Sequence, residues 1–225
     1  MRPEDIIRTH HLLIALEPKD ARALLAQASI RAYRSGETVF RRGDPGDGLY
    51  GVLVGRVAVI VESEAGKELI LNTFGPGDFF GEIALLDGKG RTATAVVRES
   101  SRLLFLARST FLPFIEERPR IAVRMIALLC ERLRRTTDLV EDSAFLNVAA
   151  RLAKQLLTLS TPGKGEEDVG IVQVSQAELA QMIGVSREAV SKQLSQWRRG
   201  GIVRLARGRI MIDGHAHLEA LVGIN

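Results

Sequence analysis

Between residues 29 and 106 the apolar positions come in short runs, rich in Val, Ile, Leu and Phe, broken every few residues by turn signals. The runs at 29–34, 38–41, 49–54, 56–62, 68–74, 92–98 and 102–106 predict strands. The breaks have a mechanism. In Gly43-Asp44-Pro45-Gly46-Asp47-Gly48 and in Gly75-Pro76-Gly77-Asp78, proline presets φ and glycine accepts a positive φ. Many short strands at this spacing predict a β-sandwich, barrel or jelly roll. Upstream, residues 6–16 and 21–27 have the pattern of short helices.

The pattern then changes period. From Pro119 to Pro162 the chain contains neither Gly nor another Pro. Ala122, Ile126, Leu129, Leu133, Thr136 and Val140 recur at alternating spacings of four and three, a seam of coiled-coil type. Charged residues fill most other positions from Glu131 onward. Two readings follow: a helix packed on its own domain, or a helix paired with a second copy of the chain. Thr136 sits in the seam itself, and a polar residue there costs stability. Residues 145–159 predict a further helix, 161–168 a loop, and the stretch from about 146 a separate small domain.

Near the C-terminus, Ser175-Gln176-Ala177-Glu178 has the form of a capping box, opening a helix to Ile183. Gly184-Val185 then makes a tight turn, and Ser186 caps a second helix to about Arg199. Ala180, Gly184 and Val190 supply the small and apolar positions of a helix-turn-helix. Residues 202–205 and 209–212, around Ala206-Arg207-Gly208, predict a two-stranded wing. From Arg187 to Arg209 the basic residues are Arg187, Lys192, Arg198, Arg199, Arg204, Arg207 and Arg209, and the only acid is Glu188. Such a run is often just a solvated face. On a capped helix pair with a wing it predicts binding to double-stranded DNA. Arg187 and Glu188 suit base edges, with Ser186, Ser191 and Lys192 beside them. Arg198, Arg199, Arg204, Arg207 and Arg209 suit phosphates, and Ser175 and Gln176 stand at the start of the first helix.

A second constellation lies at residues 79–93. Gly81 lets a backbone approach closely, and residues 83–86 (Ile83 and Ala84 leading) form one helical turn whose N–H groups favour an anion. Glu82 offers acceptors for a sugar hydroxyl. Arg91 offers a planar fork to a phosphate, and Thr92 a hydroxyl. Together these describe a small nucleotide pocket. The same residues would equally make a Glu82–Arg91 surface ion pair closing a turn.

In its order of parts the whole chain resembles the cAMP receptor protein / catabolite activator (Crp-Fnr) family of bacterial transcription regulators. The resemblance implies an α+β chain: an N-terminal β-roll (jelly-roll) cyclic-nucleotide-binding domain at 1–116, a long dimerisation helix at 117–145 and a C-terminal winged helix-turn-helix at 146–225. It implies that Glu82 holds the ribose 2′-OH, that Arg91 and Thr92 hold the cyclic phosphate, and that Gly81, Ile83 and Ala84 line the pocket. Thr136 and Thr137 would contact the purine, one from each subunit, which gives the polar seam residue a purpose. The ligand implied is cAMP, with cGMP as the alternative because Thr follows the pocket arginine in cGMP-binding relatives. A family member answering another ligand is a further alternative. The partners implied are a second copy, palindromic DNA with TGTGA-like half-sites, and RNA polymerase. Lys192 stands where close relatives have a second base-reading Arg and lacks its planar fork. Gln193 takes a usually apolar position, for which Leu194 is expected to compensate.

Composition removes the competitors. The 225 residues have 46% hydrophobic and 26% charged side chains, ordinary for a globular chain, and a net charge of +4 too mild to argue for any partner. The single cysteine, Cys130, excludes a disulfide framework, a cysteine-rich metal site and the iron–sulfur branch of the family; it fits a reducing cytosol and is expected to be a small packed residue. The acidic N-terminus is not a secretory signal, and no apolar run approaches the ~18 residues of a membrane span, so a cytoplasmic location is expected. The histidines, His10, His11, His215 and His217, have no cysteine or clustered carboxylate with them, so no metal is expected. Trp197 is expected in the core of the C-terminal domain. No nucleophile–base pattern and no Walker or HEXXH motif is present, so no catalytic residue is assigned and an enzyme is not expected.

Overall fold

The computed structural model describes residues 16–163 and 166–223. The expected helix at 6–16, with His10 and His11, lies outside them apart from its last residue. By its contacts the chain divides into two units, Met1–Val61 with Leu71–Arg134, and Glu62–Ile70 with Arg135–Asn225.

In the first unit, helix α1 (Pro18–Ala26) begins with proline in its first turn, where a missing N–H costs nothing. A sheet follows, built from β1 (Ser29–Tyr33), β2 (Thr38–Phe40), β3 (Gly48–Glu62), β4 (Glu68–Phe74), β5 (Phe79–Phe80) and β6 (Thr94–Ala107). The order is β1-β6-β3-β4, with β2 on β6 and β5 on β3. Strand β6 pairs antiparallel with β1, β2 and β3 along its length. Helix α2 (Glu82–Asp87) lies between β5 and β6, and α3 (Arg108–Glu116) follows β6.

Two of the expected strand breaks are not breaks. Residues 49–54 and 56–62 form one strand, and so do 92–98 and 102–106, less the first two residues. Gly55 has φ +92° and marks a bulge, with the β3–β6 register shifting between Val52 and Val57. Tyr50 and Val52 face one core before the bulge, and Val57 faces the same core after it, so the bulge changes the alternation from even to odd positions. A Cβ at Gly55 would lie 2.2 Å from Ser101 Oγ and 2.6 Å from the Ser100 carbonyl oxygen. Gly55→Ala should therefore destabilise the unit by about 2–4 kcal/mol, from strain and overpacking together. Gly36→Ala, also at positive φ but facing open space, should cost about 1 kcal/mol. Urea denaturation followed by circular dichroism separates the two.

The sheet encloses two apolar clusters. One joins Leu49, Leu53, Leu104 and Leu106 to Leu24, Phe111, Ile121 and Met125 from the helices. The other is aromatic: Tyr50 stacks on Phe80 at 5.4 Å, and Phe74 on Phe80 at 5.5 Å.

Helix α4 (Pro119–Phe145) is the long helix the seam predicts. Ile121 and Met125 fix its first turns to the first unit's core. The seam points elsewhere: Ile126, Leu133 and Val140 are all at least 60% exposed. Packing on its own domain therefore does not account for the seam. Cys130 is exposed, contrary to expectation, because it falls off the Ile121–Met125 stripe.

The second unit contains α5 (Val148–Leu159), β7 (Thr161–Gly163), β8 (Glu166–Val172), α6 (Gln176–Ile183), α7 (Arg187–Arg199), β9 (Val203–Ala206), β10 (Arg209–Ile212) and α8 (His215–Val222). Within the expected loop at 161–168, residues 161–163 and 166–168 are strand instead, β7 pairing antiparallel with β8; β8 also pairs with β10, so the sheet runs β7-β8-β10-β9. Asn147 caps α5 by accepting from the Ala150 N–H at 3.0 Å. Leu152, Leu156, Leu179, Val190, Leu194, Trp197 and Leu218 form the core. Trp197 is where the sequence puts it, and Leu194 is fully buried beside a half-buried Gln193, the expected compensation.

Candidate functional site

The segment from Phe79 to Ala93 is positioned by backbone first. Phe79 and Phe80 pair with Gly51 and Tyr50. Gly81, at φ +86°, then turns the chain into α2, and Gly88 at φ +71° ends that helix. The 43–48 turn packs against it so closely that a Cβ on Gly46 would lie 2.4 Å from the Ala84 carbonyl oxygen. Backbone bonds from Arg91 N–H to the Asp44 carbonyl and from Gly43 N–H to the Arg91 carbonyl, both 2.8 Å, tie the end of the segment to the same turn.

Arg91 points inward and is 3% exposed. Its Nη1 donates to the Gly81 carbonyl at 2.8 Å, and its Nη2 to the Gly48 carbonyl at 2.8 Å and to Asp47 Oδ1 at 2.7 Å. The guanidinium lies 4.2 Å from the Phe40 ring centre, a cation–π contact. Its Nε is buried and has no acceptor. A guanidinium has five N–H donors, and those three contacts leave some unused on a cation whose backbone is tied to the 43–48 turn. An oxyanion is the group that completes such a fork.

Glu82 is 2% exposed. Its carboxylate forms an ion pair with Arg132 of α4, although Oε2 is not aligned as a hydrogen bond. Arg132 also donates to the Phe79 carbonyl and lies 4.9 Å from the Phe74 ring centre. The Glu82–Arg91 surface pair is therefore not formed. Each residue is buried, and each has a different partner. The sequence reading missed both partners, Asp47 and Arg132. Arg132 looked like one more charge off the seam, and nothing local separates it from Arg134 or Arg135.

The structure thus brings Gly81, Glu82, Ala84 and Arg91 together, with Ile83 (41% exposed) and Thr92 on the outer side. Thr136 and Thr137 are exposed on α4, in the portion that belongs to the second unit.

In the second unit the helix pair has the expected caps. Ser175 accepts from the Glu178 N–H at 3.1 Å and Ser186 from the Ala189 N–H at 3.2 Å. Gly184 closes α6 at φ +67°, with Val185 N–H donating to the Ala180 carbonyl. Buried Val190, Leu194 and Trp197 fix one face of α7. That leaves Ser186, Arg187, Glu188 and Lys192 exposed, Ser191 half-buried, and Arg207 exposed at the wing turn; Ser175 is exposed and Gln176 half-buried. Bonds from its own backbone N–H and from Ser186 hold the Glu188 carboxyl below the usual carboxylate range, so it is an acceptor at neutral pH. Arg204 departs from expectation. It is not simply offered to phosphate, because Nε and Nη2 grip Asp213 Oδ2 and Oδ1, both at 2.8 Å.

Among the described residues no group of His, Cys, Asp and Glu could hold a metal, and no helix is long and apolar enough to cross a membrane.

Comparison with known proteins finds a family for each of the two parts of the chain. The cyclic nucleotide-binding domain family matches residues 30–118, and the Crp-like helix-turn-helix domain family matches residues 150–221. The CRP-like cAMP-activated global transcriptional regulator of Mycobacterium tuberculosis is 33% identical over 219 residues, covering 96% of this chain and 97% of that protein. The cyclic AMP receptor protein of Thermus thermophilus is 35% identical over 210 residues, covering 93% and 95%. Among solved structures, the c-di-GMP responsive global regulator CLP of Xanthomonas campestris superposes with a TM-score of 0.79 at 28% identity, covering 87% of this chain and 99% of that one.

Proposed function

The chain belongs to the Crp-Fnr family of DNA-binding transcription regulators, which are not enzymes, and from that premise we propose that it is a cytoplasmic homodimer whose affinity for DNA is set by cAMP. The observation that carries the ligand reading is the buried, unpartnered Nε of Arg91 beside Gly81 and Glu82. The cyclic phosphate takes the unused donors of Arg91, with Thr92 adding a hydroxyl. Glu82 accepts from the ribose 2′-OH, and Gly81, Ile83 and Ala84 flank the sugar-phosphate. Thr136 and Thr137 meet the purine, one from each subunit. The uncovered seam of α4 supports the dimer: Ile126, Leu133 and Val140 are each at least 60% exposed in the single chain. In this reading residues 1–116 sense, 117–145 pair and 146–225 bind DNA.

A ligand shifts such an equilibrium only by its differential affinity for the two arrangements. A dimer ligated at the purine by both subunits favours one arrangement of paired helices. That arrangement is the one whose α7 helices fit successive major grooves, ~34 Å apart. Arg187 and Glu188 read TGTGA-like palindromic half-sites, and RNA polymerase is the downstream partner. The Thr at 92 keeps cGMP as the second reading.

Calorimetric titration with cAMP and cGMP, followed by fluorescence anisotropy on a palindromic TGTGA duplex, tests this. The expected result is cAMP binding that raises DNA affinity at least about tenfold, a coupling of ~1.4 kcal/mol. Binding of cGMP alone would move the reading to its alternative, and binding of neither would overturn the pocket.

A further inference from the structure

The wing carries more cations than it offers. Arg204 on β9 pairs with Met211 on β10, and Arg209 pairs with Ala206. In this register Arg204 and Arg209 are diagonal neighbours on one face of the ribbon, about 7–8 Å apart. Both are exposed, with Arg207 at the turn between the strands. By position the three would form one phosphate-contacting cluster. Arg209 and Arg207 have no carboxylate partner among the described residues. Arg204 has one. The carboxylate of Asp213, the residue after β10, takes Nε and Nη2 side-on at 2.8 Å each. This is the same bidentate geometry an arginine would present to a phosphate. The Asp213 N–H donates to the Ile202 carbonyl at 2.9 Å, so the acceptor is held at the base of the wing by backbone. Its carboxyl is held below the ordinary range by Arg204, so it is charged at neutral pH.

We propose that Asp213 is a positioning residue for DNA recognition: it occupies the fork of Arg204 as an internal substitute for phosphate, so that the wing engages DNA through Arg207 and Arg209 and Arg204 is withheld. This rests on the DNA-binding reading. Its consequence is quantitative, because each cation that neutralises a phosphate releases condensed counterion and steepens the salt dependence of binding by about 0.9 in log–log slope. Withholding Arg204 limits sequence-independent affinity and leaves a larger share of the binding energy to the base contacts of α7.

The test is the salt dependence of binding to a duplex of arbitrary sequence, by anisotropy, for the full-length chain and three variants. Arg204→Ala should leave the slope at the wild-type value, since Arg204 meets no phosphate. Asp213→Ala should steepen it by about 0.9 per subunit and tighten binding at low salt. The double variant should return to the wild-type slope. An Arg204→Ala slope flatter by about 0.9 overturns the proposal. So does an Asp213→Ala protein with an unchanged slope and a wild-type melting curve. If Asp213→Ala fails to fold, the Arg204→Ala slope alone decides. A wild-type protein that binds no duplex overturns the DNA-binding reading itself, a result distinct from bound DNA with the wrong slope.

Discussion

Arg91→Ala should lower cyclic-nucleotide affinity at least about 100-fold, the equivalent of losing two charge-assisted hydrogen bonds or ~3 kcal/mol. The cause is geometric. Arg91 is held by three acceptors from two separate segments, Gly81 on one side and Asp47 with Gly48 on the other. The ring of Phe40 lies under its face. The cation is therefore fixed before any ligand arrives, and little entropy is spent orienting it. The same contacts make the residue structural. Truncation leaves the buried Gly48 carbonyl without its arginine donor, at about 1–3 kcal/mol. Arg91→Lys separates the two roles. An ammonium keeps the charge and can satisfy a carbonyl, but it has no fork for a phosphate oxyanion. The lysine variant should fold, with a melting temperature nearer wild type than that of the alanine variant, and still bind cAMP at least tenfold more weakly than wild type, since one missing charge-assisted bond is worth ~1.5 kcal/mol or more. Calorimetry beside thermal denaturation reads both. A lysine variant with wild-type affinity would mean that charge alone holds the ligand and that the planar geometry is incidental.

The parts of the molecule that could be read from the sequence are those whose causes lie within a turn or two of chain. Ser175 and Ser186 each cap a helix three residues away, and Gly184 closes α6 at its own position. These marks fix the helix pair. The α4 seam is legible for the same reason, since a 3.5-residue period is a local property. Gly55 misled because a glycine at positive φ looks alike in a turn and in a bulge; only the partner strand distinguishes them. Helix α3 is hidden by Pro113, which reads as a breaker but sits in a nine-residue helix after a strand that ends without a turn. Helix α8 gives little sign of itself, because only Leu218 is buried within it. Around the nucleotide site the residue types were legible and their partners were not. Asp47 is 44 residues from Arg91, and Arg132 is 50 residues from Glu82. Contacts at such separation are decided by the sheet and by the docking of α4, which no local pattern encodes.

The Glu82–Arg132 pair yields the second large effect, because its two members are unequal. Glu82 is almost wholly buried, whereas a fifth of the Arg132 side chain remains exposed. Removing the arginine strands a carboxylate where water cannot reach it, so Arg132→Ala should destabilise the first unit by about 3–5 kcal/mol. Removing both charges should be far milder. The double variant Glu82→Gln with Arg132→Met keeps the volumes and eliminates the stranded charge, and replacing a buried pair in this way is often close to neutral. The double-mutant cycle should therefore give a coupling of roughly 2–4 kcal/mol between the two sites. Urea denaturation by circular dichroism supplies all four corners. Ligand affinity should not follow stability. The double variant is expected to fold like wild type and yet bind cAMP at least about tenfold more weakly, since Gln replaces the charged acceptor proposed for the ribose hydroxyl, worth ~1.5 kcal/mol or more. If Arg132→Ala is as stable as wild type, the carboxylate finds water or another cation and the pair is no clamp. If the double variant keeps full affinity, Glu82 serves the fold alone and the ribose is held elsewhere.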